Sequence, residues 1–563
     1  MSGSFLDARP RLRVTLLLAA WLACSAAAYS RLQHARYEFS DRASTKRELR
    51  RNDGNYGHAT IDFGGQWMMG RMLVVGRGRE LYHRQAQWPT AWAAYPTADE
   101  SVLRRELSFP ASRRPAAFSG ESSMHDAEAM LFWFMGRDAD GWDDATNSVA
   151  LPTAAGEPWA ALTLNVAAQS LLTEGRIKAL NRPAIGGPLY PPIHAMLMAP
   201  LAATNDPRSA YAVMQYGTIL LTFAAGFLIA GISCGRVWWP VAVLGILTFP
   251  GYLSGLDLGQ NQVVSLTLLV AGWRLTQVGR PWLGGIVWGL LAFKPVWAAS
   301  FLMVPLVLGQ WRMVVAMCLT AALWILASLP LVGVQSWFDW LAVGREASAL
   351  YEVNEKWIGL SRDLAGLIRR PLLDFQASAE ERSSPLLNRL CLLPYVLIAG
   401  TTLLVLWTTR KKSGLVGLRA GFPALAAYLC CWHFMYYDAV LALFPIAVLS
   451  ADPRALWGGV WTVQGESGPP RRLSMPGMLA AALFGLYAVE NFLMYLALAG
   501  TIEFGRFGGP SAVIGGMPSK PPKLSADTTI FTACDTVILL LLWALLVIRL
   551  GFAGRNAAEP IQR

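Results

Sequence analysis

Long apolar runs separated by short polar or basic breaks dominate the chain from about 209 onward, after one at the N-terminus. They fall at about 14–29, 209–232, 238–254, 261–277, 282–294, 296–309, 313–333, 390–408, 419–434, 437–450, 475–499 and 529–548. A run of about 20 apolar residues is long enough to cross a bilayer as a helix, and the shorter runs need neighbours or a thinned bilayer. The pattern predicts an all-α polytopic membrane protein of about twelve spans, with eleven to thirteen as the range. The stretch 193–203 is apolar but short, and reads as a helix that enters the membrane without crossing it.

Between the first two runs lies a polar block, 31–190, rich in Arg, Trp, Pro and Asp. It predicts a large first external loop, with short interfacial helices at 123–136 and 157–180. The expected organisation is an N-terminal span (1–30), this external loop (31–190), a membrane core (191–333), a second external loop (334–389) and C-terminal spans (390–563). Arg9, Arg11 and Arg13 before the first run fit either a signal peptide or a retained anchor, and the many later spans favour retention. Basic breaks at Arg236, Arg274 with Arg280, Arg312, Arg410 to Lys412, Arg454 and Arg549 all fall on one side if the runs alternate. The positive-inside rule then puts both termini in the cytoplasm of a plasma (inner) membrane protein.

Composition agrees: hydrophobic residues are 54% of the 563 and charged residues only 15%, well short of the ~25% of soluble domains. The net charge of +11 is explained by the basic loops. No basic-aromatic stripe on a nucleic-acid fold accompanies it, so nucleic acid is not an expected partner. The seven cysteines form no CxxC pair, and no His/Asp cluster has metal-ligand spacing, so no resident metal is expected.

The predicted topology gathers certain segments on the outer face: the first loop, 256–262, the region of Lys294, the loop 334–389 and the turn 433–438. Charge and irregular backbone at membrane depth need a protein-lined or wet cavity, so a site is expected where these meet. They carry Asp62-Phe63, then Gly78-Arg79-Glu80-Leu81-Tyr82, Tyr190-Pro191-Pro192, Gly259-Gln260-Asn261, Phe293-Lys294-Pro295, and Trp432-His433 followed by Tyr437-Asp438.

In this order these elements resemble glycosyltransferase family 87, the polyprenyl-phosphate-mannose-dependent mannosyltransferases of the GT-C superfamily. The resemblance runs from about 60 to 450; the insertion at about 83–189 and the tail from 455 depart from it. It implies transfer of a sugar, mannose first, from a polyprenyl-phosphate-linked donor to a glycan or glycolipid acceptor at the outer face of the bilayer. The reaction inverts configuration and uses an aspartate of the first external loop as general base; Asp62 maps onto that aspartate. The other reading of Asp62 is a helix N-cap.

Lys294 is a candidate for holding the donor phosphate, or a lysine snorkelling to the interface. Gln260 and Asn261 suit sugar hydroxyls or phosphate, or cap and pack a helix. Tyr190 with its two prolines suits the donor site, or sets a rigid helix start. His433 is a candidate for touching the donor phosphate or orienting Asp62. Arg362 suits a phosphate clamp, or belongs to a solvated interfacial helix. Arg71, Arg77 and Arg79 read as a solvated basic face. A divalent cation bridging the lipid phosphate is compatible with this chemistry and is not specified by any residue set. A lipid-linked-sugar flippase or transporter is the alternative, although no half-to-half repeat supports it.

Overall fold

The computed structural model describes residues 10–42, 62–83, 86–87, 90, 189–353, 355–374, 382, 384–408, 414–453, 482–483, 485–488 and 533–556. The expected interfacial helices at 123–136 and 157–180, and nearly all of the runs at 475–499 and 83–189, lie outside them.

The described residues are helical, without a strand. In chain order the helices are α1 (Pro10–Arg42), α2 (Asp62–Val74), α3 (Ile193–Met198), α4 (Pro207–Ile232), α5 (Trp239–Leu247), α6 (Pro250–Asp257) and α7 (Gln262–Gln277). Then come α8 (Pro281–Gly289), α9 (Pro295–Val307), α10 (Trp311–Val332), α11 (Gln335–Val353), α12 (Glu355–Leu360) and α13 (Leu364–Leu372). The last are α14 (Pro385–Thr408), α15 (Leu418–Leu429), α16 (Leu443–Ser450) and α17 (Cys534–Asn556). Prolines open α5, α8 and α9 at the first or second position. A proline there loses no helical hydrogen bond and presets the backbone.

Among the described residues five stretches are long and apolar enough to cross a bilayer: Val14–Gln33, Ser209–Ile232, Trp311–Val332, Pro385–Thr408 and Cys534–Gly551. A sixth results if α5 and α6, bent by 64° at their junction, form one broken span. Phe249, the residue before Pro250, is extended (ψ 130°), as the proline ring demands of its predecessor. The long helices turn bulky apolar side chains outward, among them Leu22, Leu220, Leu323, Val396 and Leu404, each more than 60% exposed. In water such surface would be a liability; against lipid it is solvated. This is an all-α polytopic membrane protein.

Three expected runs are shorter as helices than as apolar sequence. The run 282–294 ends in a 3-10 turn, Leu290–Phe293, and 437–450 begins with one, Tyr436–Ala442. The run 419–434 leaves the helix at Leu429, because Met435 pairs with Ser361 in an isolated antiparallel bridge and the Phe434 carbonyl accepts from Arg362 N–H at 3.0 Å. The segment 193–203 is one six-residue helix and the turns after it, about 9 Å of helix and far short of a bilayer.

The core is aromatic at its centre and tight at its helix crossings. Trp273, Trp288, Phe301 and Phe444 touch with ring centroids 5.7–6.1 Å apart, and Trp288 Nε1 donates to the Leu269 carbonyl at 2.9 Å. α8 crosses its neighbours through glycines: Gly284 meets Gly272 and Thr276 of α7, while Gly285 and Gly289 meet the Met313 and Met317 carbonyls of α10. Small residues allow close backbone approach where no hydrophobic drive separates helix from lipid.

A side chain at Gly285 would strike backbone that cannot move aside. Gly285→Leu is expected to destabilise the protein by about 1–3 kcal/mol or to prevent folding. The check is a lowered melting temperature of the purified protein in detergent, with Gly245→Ala, where a Cβ meets open space, as the tolerated control.

Candidate functional site

The site begins where α2, carried by the first loop, docks on the turn between α6 and α7. Asp62 is the first residue of α2. The next residue, Phe63, donates its N–H to the Leu258 carbonyl at 3.0 Å, and its ring stands edge-on to Tyr211 at 5.0 Å. One helical turn on, Gln66 Nε2 donates to the Gly259 carbonyl at 3.1 Å. Gly259 has a left-handed backbone (φ +61°), and a Cβ there would lie 2.6 Å from Phe63 Cβ. Conformation and space therefore both require glycine. On its far side α2 meets α3 backbone to side: a Cβ on Gly70 would lie 2.6 Å from the Met198 carbonyl oxygen.

A chain of hydrogen bonds ties the remaining motifs to this dock. Tyr82, fully buried, donates to the Tyr190 carbonyl at 2.6 Å. Tyr190 donates in turn to Gln260 Oε1, also at 2.6 Å, and its ring stacks on His194 at 4.2 Å. His194 Nε2 lies 3.1 Å from Gln66 Oε1, and Asn261 Nδ2 donates to the same oxygen at 3.3 Å. Because Gln66 Nε2 is committed to a carbonyl, its Oε1 must accept, which assigns the proton of His194 to Nε2. Burial, with Lys294 as a second cause, holds the His194 imidazole down to about 3, so it is neutral near pH 7. Among the described residues His194 Nδ1 and Asn261 Oδ1 are buried acceptors without a hydrogen-bond partner.

Lys294 stands at the junction of α8 and α9, with its ammonium 2.7 Å from Asp438 Oδ1 and both side chains only 8% exposed. The Tyr437 ring lies beside it, 5.9 Å from Nζ. This is a buried ion pair, not a lysine snorkelling to the interface.

The remaining candidates meet at the start of α13. Arg362 donates to the carbonyls of Gly359 and Ser361, lies 3.4 Å from Asp535 and offers its own carbonyl to Thr536 Oγ1 at 2.8 Å. The loop before α13 is thereby tied to α17. Asp363 caps α13 by accepting from Gly366 N–H at 2.6 Å, and its second oxygen lies 3.0 Å from His433 Nδ1. Its burial alone would raise this carboxyl, but His433 and the cap outweigh that and hold it below its usual value. Cys431 lies within electrostatic reach of Asp438, Asp363 and Lys294.

Tyr190, Gln260 and Asn261 thus share one network, Lys294 sits in an ion pair, and Arg362 and His433 share a third cluster. The Asp62 side chain is outside the described residues. Of the basic face, Arg71 donates to the carbonyls of Ala202 and Ala203 and Arg77 to that of Ala86. Sequence reasoning missed Gln66, His194, Asp363 and Asp535 and gave Asp438 no role. Only His194 carried a signal, as one of six histidines, two residues after Pro192. Among the described residues no group of three or more His, Cys, Asp or Glu is placed to hold a metal.

Residues 189–435 match the family model of glycosyltransferase family 87. The matched segment contains Tyr190, Gln260, Asn261, Lys294, Arg362 and His433 and stops short of Asp62. No curated protein and no solved structure matches the chain. The family match, on a polytopic helical fold, supports a membrane glycosyltransferase.

Two outcomes are expected. Gly259→Ala is expected to undock α2, lowering the melting temperature and opening the helix to limited proteolysis. Acid is expected to weaken the same dock: below pH 6.5 the unfolded chain protonates His194 while the folded chain does so only near 3. Stability from this residue therefore falls as pH drops through that window, by at most about 1.4 kcal/mol per pH unit. His194→Gln is expected to flatten the pH dependence of melting between 6.5 and 4.5.

Proposed function

We propose that the protein moves a sugar, mannose first among the candidates, from a polyprenyl-phosphate carrier to a glycan or glycolipid acceptor at the outer face of a plasma (inner) membrane. The observation that carries this reading is the dock of α2 on the Gly259–Asn261 turn. It fixes the helix that opens with Asp62 beside the segment that matches a glycosyltransferase family.

In this reading Asp62 accepts the proton of an acceptor hydroxyl. The oxygen attacks the anomeric carbon from the face opposite the phosphate. The bond from that carbon to the phosphate oxygen breaks, its electron pair stays on the polyprenyl phosphate, and configuration inverts. A hydroxyl is a weak nucleophile at neutral pH, and a positioned base contributes about 10²–10⁴-fold.

Tyr190, Gln260 and Asn261 have hydrogen bonds that join them to each other's network and to α2. Their role here is to hold α2 in place, with Gln66 and His194 as partners. Lys294 and Arg362 are the cations assigned to the donor phosphate in this reading, each with a carboxylate, Asp438 and Asp535, already at its side. His433 is held at Nδ1 by Asp363, and among the described residues its Nε2 edge makes no hydrogen bond. A divalent cation would supply charge neutralisation to the lipid phosphate; among the described residues no group of three or more His, Cys, Asp or Glu is placed to hold one.

Asp62→Asn is expected to lower transfer by at least about 100-fold while melting stays unchanged. The measurement is passage of label from radiolabelled polyprenyl-phosphate-mannose to extracted glycolipid by the purified protein. Wild-type transfer in that variant would overturn Asp62 as the base. Label that crosses a vesicle wall without joining an acceptor would make the protein a carrier.

A further inference from the structure

His433 has one side uncommitted among the described residues. Lys294 is spent on Asp438, and Arg362 on Asp535 and two carbonyls. His433 is held at Nδ1 by Asp363, 3.0 Å away, and its ring is stacked flat on Tyr351 of α11, centroids 4.3 Å apart at 15°. These two contacts fix both the plane and the rotation of the imidazole. The edge bearing Nε2 therefore points away from Asp363, and among the described residues it makes no hydrogen bond. The His433 side chain is 26% exposed, whereas that of Asp363 is 2% exposed.

We infer that Asp363 and His433 form a phosphate-binding dyad, in which the buried Asp363 carboxylate is a positioning residue that holds His433 as an imidazolium with its Nε2–H presented to a phosphate anion. The physical argument has three parts. A carboxylate at Nδ1 can only accept, so the proton stays on Nδ1 and a second proton at Nε2 creates a cation paired on one side. That N⁺–H donates a charge-assisted hydrogen bond to phosphate oxygen, about twice the strength of a neutral one. The carboxylate is itself anchored: its other oxygen caps α13, so the dyad costs little further ordering when the anion arrives.

Asp363 was invisible as a partner because it lies 70 residues from His433, in a loop whose register is set by the Ser361–Met435 bridge. That bridge, two residues from each member of the dyad, and the Arg362 N–H to Phe434 carbonyl bond, one residue from each, set the two segments side by side.

The inference rests on the transferase reading only for the source of the phosphate, a lipid carrier. The test measures binding without transfer, on the purified full chain in detergent. Undecaprenyl phosphate is titrated against intrinsic fluorescence, which Trp432 beside the dyad helps report, and inorganic phosphate is titrated in parallel. His433→Asn and Asp363→Asn are each expected to weaken undecaprenyl phosphate binding by about 10-fold or more, in the range of a lost charge-assisted bond. The asparagine at 363 keeps the oxygen that caps α13, so melting is expected to hold. The double variant is expected to bind no more weakly than either single one, because Asp363 acts through His433.

Wild-type binding in either variant, or further weakening by Asp363→Asn when His433 is already absent, overturns the dyad. Inorganic phosphate competing at low millimolar concentration shows a headgroup site; undecaprenyl phosphate binding that inorganic phosphate never displaces, and that both variants retain, shows binding by the tail and overturns it. A second measurement needs no variant at 363. With ¹⁵N-labelled histidine, the Nε2 resonance of His433, assigned by its loss in His433→Asn, is expected to move when undecaprenyl phosphate is added; an unmoved signal overturns the inference. Binding by the dyad without sugar transfer would sink the transferase reading and leave this one standing. Transfer with binding indifferent to both variants would do the reverse.

Discussion

Backbone that leaves a helix in the buried part of a membrane protein has no water to bond with, so it must find partners in the rest of the chain. The Gly259 carbonyl is the clearest case. It belongs to the irregular turn between α6 and α7 and is satisfied by Gln66, nearly two hundred residues earlier in sequence. Much of the site follows from that one requirement. Gln66 can reach only if α2 lies along the turn, and α2 can lie there only because position 259 has no side chain. Once Gln66 has turned its nitrogen to the carbonyl, its oxygen is left to accept from His194 and Asn261.

The same requirement explains the short helices. α15 stops early and its continuation runs extended, bonding across to the loop before α13. The 3-10 turns before α9 and α16 bring Lys294 and Asp438 to a common point. Shortened helices look wasteful in a bilayer. Here each break delivers a charged or polar side chain, and each of those meets a partner. Buried ion pairs are weak contributors to stability, because desolvation offsets most of the attraction. Lys294–Asp438 and Arg362–Asp535 are therefore better understood as a fixed charge pattern than as staples.

Part of this was legible beforehand. The apolar runs predicted a helical membrane protein, and of the segments expected to meet, the first loop bonds to 256–262 through Phe63 with Leu258 and Tyr190 with Gln260, and Lys294 to 433–438 through Asp438. The lengths of helices were read less well. An apolar run signals a span until a Gly, Pro or charge interrupts it, and Cys430-Cys431-Trp432 offers no such signal although the helix has ended. The count of twelve spans rested on run lengths and on alternation of the basic breaks; among the described residues five stretches meet the length of a bilayer by themselves, and shorter helices such as α8 and α9 occupy other runs.

By itself the sequence determined the solvent, the helical class and which few polar residues deserved suspicion, because hydropathy and residue type are local properties. It could not assign partners. Lys294 could have been a free phosphate ligand or a snorkelling side chain, and only folding showed a carboxylate 144 residues away at 2.7 Å. Asp363 and His433, Tyr82 and Tyr190, and Gln66 and His194 are likewise joined across long separations. Pairings of that kind arise when irregular segments satisfy one another in a place without water, and that place exists only once the helices have packed.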